Sequence, residues 1–241
     1  MKLKGEIMET YFKKLCNEIQ IELTEIQIEK FLRYKDLLVE KNKCINLTAI
    51  TEDKEIILKH FVDSLTINKF LDKNVKMIDV GTGAGFPGIP IKILREDVDV
   101  TLLDSLNKRV NFLNEVIDDL KLQKIEAIHG RAEDIAHKLE YREKFDVVTA
   151  RAVANLATLS ELCLPFVKQN GKFICMKGSS VEEIDEAKKA LEVLGGNIVS
   201  VDKFLLPDSD IERNIVVIEK VKSTPNKFPR KAGTPAKEPI K

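Results

Sequence analysis

The hydrophobic pattern of the chain changes period near Val75. Before it, apolar residues recur at helical spacing. Thr24-Glu25-Ile26-Gln27 puts a hydroxyl three residues ahead of an amide, which predicts a capped helix start. Ile28, Phe31, Leu32, Lys35, Leu38 and Val39 then trace a mostly apolar face. Asn42 to Asn46 breaks that pattern, and a pair of short helices is predicted over 52–70. After Val75, short apolar runs alternate with longer amphipathic stretches. The predicted strands are Lys76–Val80, Val98–Leu103, Ile125–His129, Phe145–Ala150, Lys172–Met176, Ile198–Phe204 and Asn214–Glu219. The predicted helices are Gly88–Arg95, Leu106–Leu120, Asn155–Val167 and Val181–Leu194. This alternation predicts crossover units with helices on both faces of the sheet. A short link around Pro207-Asp208-Ser209-Asp210 predicts an antiparallel hairpin at the sheet edge. The expected fold is therefore α/β: a doubly wound, mostly parallel seven-stranded sheet with the last strand antiparallel, and an N-terminal helical extension.

Three segments follow: a helical region over 1–70, an α/β domain over 71–221 and a tail over 222–241. The tail holds Pro225, Pro229, Pro235 and Pro239, which exclude a regular helix or central strand and predict an extended segment. With 44% hydrophobic and 32% charged residues, the composition is that of a globular protein. No apolar run reaches the length of a membrane span, and the first residues lack the apolar core of a secretory signal, so a cytoplasmic protein is expected. The formal charge is zero overall, yet residues 220–241 carry +6 and the remainder −6. Any polyanion contact is therefore expected to be local. Cys16, Cys44, Cys163 and Cys175 form no Cys-x-x-Cys pair and stand apart from the histidines, so free thiols and no metal site are expected.

The most informative stretch is Asp79-Val80-Gly81-Thr82-Gly83-Ala84-Gly85-Phe86-Pro87-Gly88, in which a strand enters a turn with four glycines and a helix follows. Glycine permits positive φ and removes the Cβ that would block a ligand. Two registers fit. Gly81-x-Gly83-x-Gly85 after Asp79 is the form common in methyltransferases. Gly83-x-Gly85-x-x-Gly88 matches the dinucleotide fingerprint of dehydrogenases. Asp79 favours the first, because S-adenosylmethionine carries a sulfonium and an ammonium, whereas a carboxylate would repel a pyrophosphate. An NAD(P)-dependent oxidoreductase remains the rival enzyme, and a non-catalytic RNA-binding module the rival non-enzyme.

Asp104 ends the second strand about 20 residues past the glycines, where an acid reaches ribose hydroxyls. Ser105 is expected to cap the next helix. In Gly130-Arg131-Ala132-Glu133-Asp134, the Ala132 N–H and the Glu133 carboxylate could read an adenine edge; a solvated acidic loop fits equally well. Arg151 follows the fourth strand and offers a fork of donors to a carboxylate, a phosphate or a guanine edge, or else pairs structurally with an acid. The chain has no Pro-Pro for holding an exocyclic amine, and no cysteine follows a proline as a pyrimidine nucleophile would. Guanine N7 needs neither, since its lone pair attacks a methyl group without deprotonation, and orientation alone can carry the rate.

Several further motifs carry a family resemblance over essentially the whole chain. They are Asn46-Leu47-Thr48-Ala49-Ile50, His60-Phe61-Val62-Asp63-Ser64-Leu65, the glycine loop through Gly88, Gly130-Arg131-Ala132-Glu133, Ala150-Arg151-Ala152-Val153-Ala154, Arg213-Asn214, and Phe228-Pro229-Arg230-Lys231-Ala232-Gly233-Thr234-Pro235. With these the sequence resembles the bacterial ribosomal RNA small-subunit methyltransferase G family, also called glucose-inhibited division protein B. The resemblance implies a sheet of the S-adenosylmethionine-dependent methyltransferase type and transfer of a methyl group to N7 of a guanosine in 16S ribosomal RNA. It implies that Gly81, Phe86, Ala132, Glu133 and Arg151 contact S-adenosylmethionine, with Asp104 at the ribose and no catalytic base. The implied partner is 16S ribosomal RNA in the small subunit or an assembly intermediate, acted on by a monomer. The basic tail then either grips RNA phosphates or stays a solvated, disordered segment, and its deletion is expected to weaken RNA binding and leave cofactor binding unchanged.

Overall fold

A computed structural model describes residues 2–151, 154–178 and 183–240. The chain opens with α1 (Lys2–Glu18) and α2 (Glu25–Ile45). The capping box forms as expected: Gln27 N donates to Thr24 Oγ1 at 3.3 Å and Thr24 N donates to Gln27 Oε1 at 2.9 Å. The helix ends at Asn46, whose φ of +49° is left-handed. Its buried stripe includes Tyr34, while Lys35 turns to Asp36 and Asp53, each at 3.1 Å. Residues 53–70 form one winding run instead of a pair of short helices. It comprises α3 (Asp53–Ile56), a π-helical stretch Ile57–Val62, α4 (Asp63–Leu65) and a tight 3-10 turn Thr66–Phe70. Single π-turns of this kind gather at functional sites, and this one carries His60.

The sheet contains β1 (Lys76–Val80), β2 (Asp99–Asp104), β3 (Ile125–His129), β4 (Phe145–Arg151), β5 (Val167–Lys177), β6 (Gly196–Leu205) and β7 (Glu212–Lys220). Their order is β3-β2-β1-β4-β5-β7-β6. The first five are mutually parallel, and β7 runs antiparallel to both neighbours. The last strand in sequence therefore inserts between β5 and β6, leaving β6 at the edge. The order reverses between β1 and β4, the switch point at which doubly wound sheets open a crevice beyond their C-terminal strand ends.

Helices α5 (Gly88–Leu94), α6 (Asn107–Asp119), α7 (Ala132–Ile135), α8 (Leu156–Cys163), α9 (Glu183–Leu194) and α10 (Thr234–Lys237) complete the described elements. Two sequence expectations fail for local reasons. Ser105 does not cap α6; Leu106 holds the cap position, and Asp104 Oδ1 accepts from Leu106 N at 2.9 Å. The helix predicted over Asn155–Val167 stops at Cys163, because Pro165 supplies no N–H for an α-helical interior. Leu164–Phe166 tightens into a 3-10 turn, and β5 starts at Val167, five residues earlier than expected. The predicted start of α9 at Val181 lies outside the described residues.

Alternation along the strands divides the core. Met77, Val100, Leu102, Val147, Ile174 and Val217 face one layer, which they share with Phe12, Phe31, Tyr34 and Phe61 of the N-terminal helices. Ile78, Leu103, Val148, Phe173 and Val216 face the other, with α8, α9 and Phe228. The N-terminal helices thus form part of the cover on one sheet face. Residues 222–240 differ from the extended tail expected of them. Arg142 donates to the carbonyls of Thr224, Pro225 and Phe228, His137 Nε2 donates to Pro229 O at 2.9 Å, and Phe228 is buried.

Candidate active site

The glycine loop leaves the C-terminal end of β1. Gly81 N and Thr82 N donate to Leu103 O at 2.8 and 3.1 Å, which pins the turn to β2. Gly81, Gly83 and Gly85 have φ of +71°, +65° and +104°. A Cβ on Gly81 or Gly83 would enter open space, so backbone conformation requires glycine there and leaves room for a ligand. A Cβ on Gly85 would lie 2.8 Å from the Tyr34 hydroxyl, which donates to Ala84 O. Helix α2 therefore buttresses the loop from beneath.

Asp79 is fully buried. Its Oδ2 accepts from Thr82 Oγ1 at 2.6 Å and from Gly88 N at 2.9 Å. Burial pushes its carboxyl up to about 6. Among the described residues, Asp79 Oδ1 is a buried oxygen with no hydrogen-bond partner. Asp104, 2% exposed, ties the loop to β2, its Oδ2 accepting from Gly83 N at 2.9 Å with Arg109 Nη1 at 3.4 Å. Arg109 thus turns its guanidinium toward the loop. Ala132 and Glu133 open α7 beside β3, and Glu133 Oε1 accepts from Gly233 N at 3.0 Å.

Arg151 ends β4 and meets the N-terminal helices. Its Nη1 donates to Lys59 O at 3.1 Å and Asp63 Oδ2 at 3.3 Å, and its Nη2 lies 3.1 Å from His60 Nδ1. Asp63 Oδ1 accepts from Arg213 Nε at 3.0 Å, so one buried carboxylate holds two guanidinium groups. A guanidinium has no lone pair to give, so His60 Nδ1 accepts and Nε2 carries the proton. That proton points to Thr48 Oγ1 at 2.8 Å. Burial first, and then the Arg151 charge, push His60 down to about 3, leaving it neutral. Asn42 fixes Thr48 in turn, accepting from Leu47 N and Thr48 N. His60 stacks on Phe86 at 4.4 Å between ring centroids, and the Arg151 guanidinium sits 4.9 Å from the same ring. Phe86 itself is 4% exposed. A cleft of about 360 Å³ opens here, lined in part by Ile50, Lys59, Arg151, Met176 and Arg213.

The six residues singled out from sequence thus divide. Gly81, Phe86 and Asp104 belong to the loop and its ties, Ala132 and Glu133 flank it beyond β3, and Arg151 sits across the switch point. Tyr34, Thr48, His60, Asp63 and Arg213 complete the site. The last four stand in the family motifs without an assigned role, and Tyr34 could have been found as the residue one turn past Phe31 on the same stripe.

The donor set discriminates between ligands. Gly88 N, at the start of α5, is already taken by Asp79, so a carboxylate sits where a dinucleotide-binding helix needs a pyrophosphate. A Cβ on Gly88 would lie 2.2 Å from Leu102, so the glycine that completes the dehydrogenase register serves helix packing. An unpartnered carboxylate oxygen beside an open glycine turn suits a ligand bearing an ammonium. This fold and site define an S-adenosylmethionine-dependent methyltransferase. Residues 27–216 match the family described as rRNA small subunit methyltransferase G, and the chain belongs to that family. It is 56% identical over 229 residues to ribosomal RNA small subunit methyltransferase G of Clostridium tetani, covering 94% of this chain and 96% of that protein. It is 57% identical over 231 residues to the protein of the same name from Desulforamulus reducens, with 95% and 96% covered. The solved precorrin-6y C5,15-methyltransferase of Geobacter metallireducens shares the fold, with a TM-score of 0.50, 14% identity, and 73% and 92% of the two chains covered. Family membership removes the oxidoreductase and the non-catalytic RNA-binding module.

Proposed function

We propose that the protein transfers a methyl group from S-adenosylmethionine to N7 of a guanosine in 16S ribosomal RNA. The observation that carries this reading is that the basic groups at the end of β4 are already engaged. Both nitrogens of His60 and both oxygens of Asp63 have partners. Deprotonating an exocyclic amine would need a free base, whereas N7 attacks as it stands. S-adenosylmethionine supplies an electrophilic methyl carbon: the N7 lone pair forms the new bond, and the sulfur keeps the electrons of the old one.

The residues divide the work of holding the reactants. The turn at Gly81 and Gly83 leaves space for the methionine end, and Asp79 Oδ1 accepts from its ammonium. Asp104 takes the ribose hydroxyls with the lone pairs left over from Gly83 and Leu106. The Ala132 N–H and the Glu133 carboxylate read the adenine edge. Phe86 is buried beneath His60, so its contribution runs through its backbone. Arg151, held by Asp63, keeps a fixed positive charge between loop and cleft, and the guanine enters the cleft beside it. Proximity and alignment then supply the rate. The RNA partner is the small ribosomal subunit or an assembly intermediate, met in the cytoplasm by a monomer.

The test is methyl transfer from labelled S-adenosylmethionine to small-subunit RNA from cells lacking the gene, followed by nucleoside mass spectrometry. A label recovered as 7-methylguanosine supports the proposal. A label recovered in another nucleoside contradicts it.

A further inference from the structure

We propose that the C-terminal segment Phe228–Glu238 is a strap that positions Glu133, and is therefore part of the cofactor site. The inference rests on the assignment of Glu133 to the adenine edge. The strap is fastened to the domain by side chains of α8 and of the turn after α7. Glu161 of α8 is fully buried, and its carboxylate accepts from Arg230 N at 2.8 Å, Nε at 2.9 Å and Nη2 at 2.6 Å. Thr158 of α8 donates to Pro235 O at 2.9 Å. His137, just past α7, donates to Pro229 O. Between these fastenings the backbone turns at Gly233, φ +82°, and aims its N–H at Glu133 Oε1. Glu133 is only partly buried, and among the described residues Gly233 N is the one hydrogen-bond donor to its side chain. A flexible carboxylate with one fixed donor loses rotamer freedom before a ligand arrives, and such preorganisation improves affinity.

A strap so fastened revises the expectation that the tail acts on RNA alone. A chain ending after Lys231 keeps the Arg230–Glu161 pair but loses the Gly233 donor. Its affinity for S-adenosylmethionine, measured by titration calorimetry, is expected to fall about tenfold, the weight of a hydrogen bond to a charged group. In a Glu133→Ala background, which has no acceptor for Gly233 N, the same truncation is expected to change affinity less than about twofold, because the strap acts through that carboxylate. A purely structural role would produce equal losses in both backgrounds and would overturn the proposal, as would no loss in either. Full-length Gly233→Ala, strained at its positive φ, covers the case of a truncated chain that does not fold, and is read in the same two backgrounds. Failure of the intact wild-type chain to bind S-adenosylmethionine would instead refute the functional assignment itself.

Discussion

The Tyr34 hydroxyl, on the second helix of the chain, donates to the Ala84 carbonyl inside the glycine loop fifty positions further on. The ring is fully buried and stacks on Phe61 at 5.4 Å. An N-terminal helix thereby reaches the floor of a turn that belongs to the sheet. Tyr34→Phe keeps the ring and strands the Ala84 oxygen in a dry environment. The expected cost is about 1–3 kcal/mol of stability, measured by urea denaturation, with weaker S-adenosylmethionine binding by calorimetry. Unchanged binding would mean that the loop holds its shape without the helix.

His60 makes a pH-dependent contribution whose sign is fixed by its environment. Its folded-state value lies at about 3, below the ordinary 6.5. Between those values the unfolded chain binds a proton that the folded chain does not, so this contribution is complete above 6.5 and is lost as pH falls. Asp79 acts oppositely, since a value raised to about 6 makes the folded state the better proton binder between 3.8 and 6. The two slopes offset each other in the wild type, and substitution separates them. The stability difference between wild type and His60→Asn should shrink by about 2 kcal/mol between pH 7.5 and pH 5. A difference independent of pH would show that His60 titrates normally.

Asp79→Asn removes a buried charge while keeping the shape of the side chain. Desolvation of that charge opposes folding above about pH 6, so the variant is expected to be at least as stable as wild type at pH 7.5. It also replaces the oxygen assigned to the cofactor ammonium, and S-adenosylmethionine binding should weaken by about tenfold or more. Thermal denaturation and calorimetry on one preparation separate the two effects. A variant that binds as tightly as wild type would place the ammonium elsewhere.

The Arg230–Glu161 pair sets the stability of the C-terminal region. Arg230→Met leaves the Glu161 carboxylate buried with its cation gone, an expected cost of about 3–5 kcal/mol in urea denaturation. Arg230→Met combined with Glu161→Met should recover most of that loss, since the uncompensated charge is gone. No recovery would mean that the pair does more than neutralise a buried acid.

The sheet was legible in the sequence because its signal is local. Alternation, strand length and the turn at Pro207–Asp210 gave seven strands, and Asp79 together with Gly81, Gly83 and Gly85 marked the loop. The surroundings of Arg151 were not legible from pattern, because His60 and Asp63 reach it from the winding run over 53–70, and Thr48 backs His60 from the loop after α2, neither with any periodic relation to β4. Resemblance supplied those residues without their geometry. The fold of the tail is hidden from pattern for a related reason. Its prolines and lysines resemble those of a solvated segment, and only the burial of Glu161 and Phe228 shows why it folds back. Pro165 illustrates a smaller failure, in which one residue lacking an N–H outweighed an otherwise helical apolar pattern.

The methionine end of the cofactor is assigned to the turn between β1 and α5, and a crystal structure with S-adenosylhomocysteine tests this most directly. The amino group is expected within hydrogen-bonding distance of Asp79 Oδ1, with the ribose at Asp104 and the adenine beside Ala132 and Glu133. Adenosine bound away from these residues, or an amino group facing away from Asp79, would contradict it.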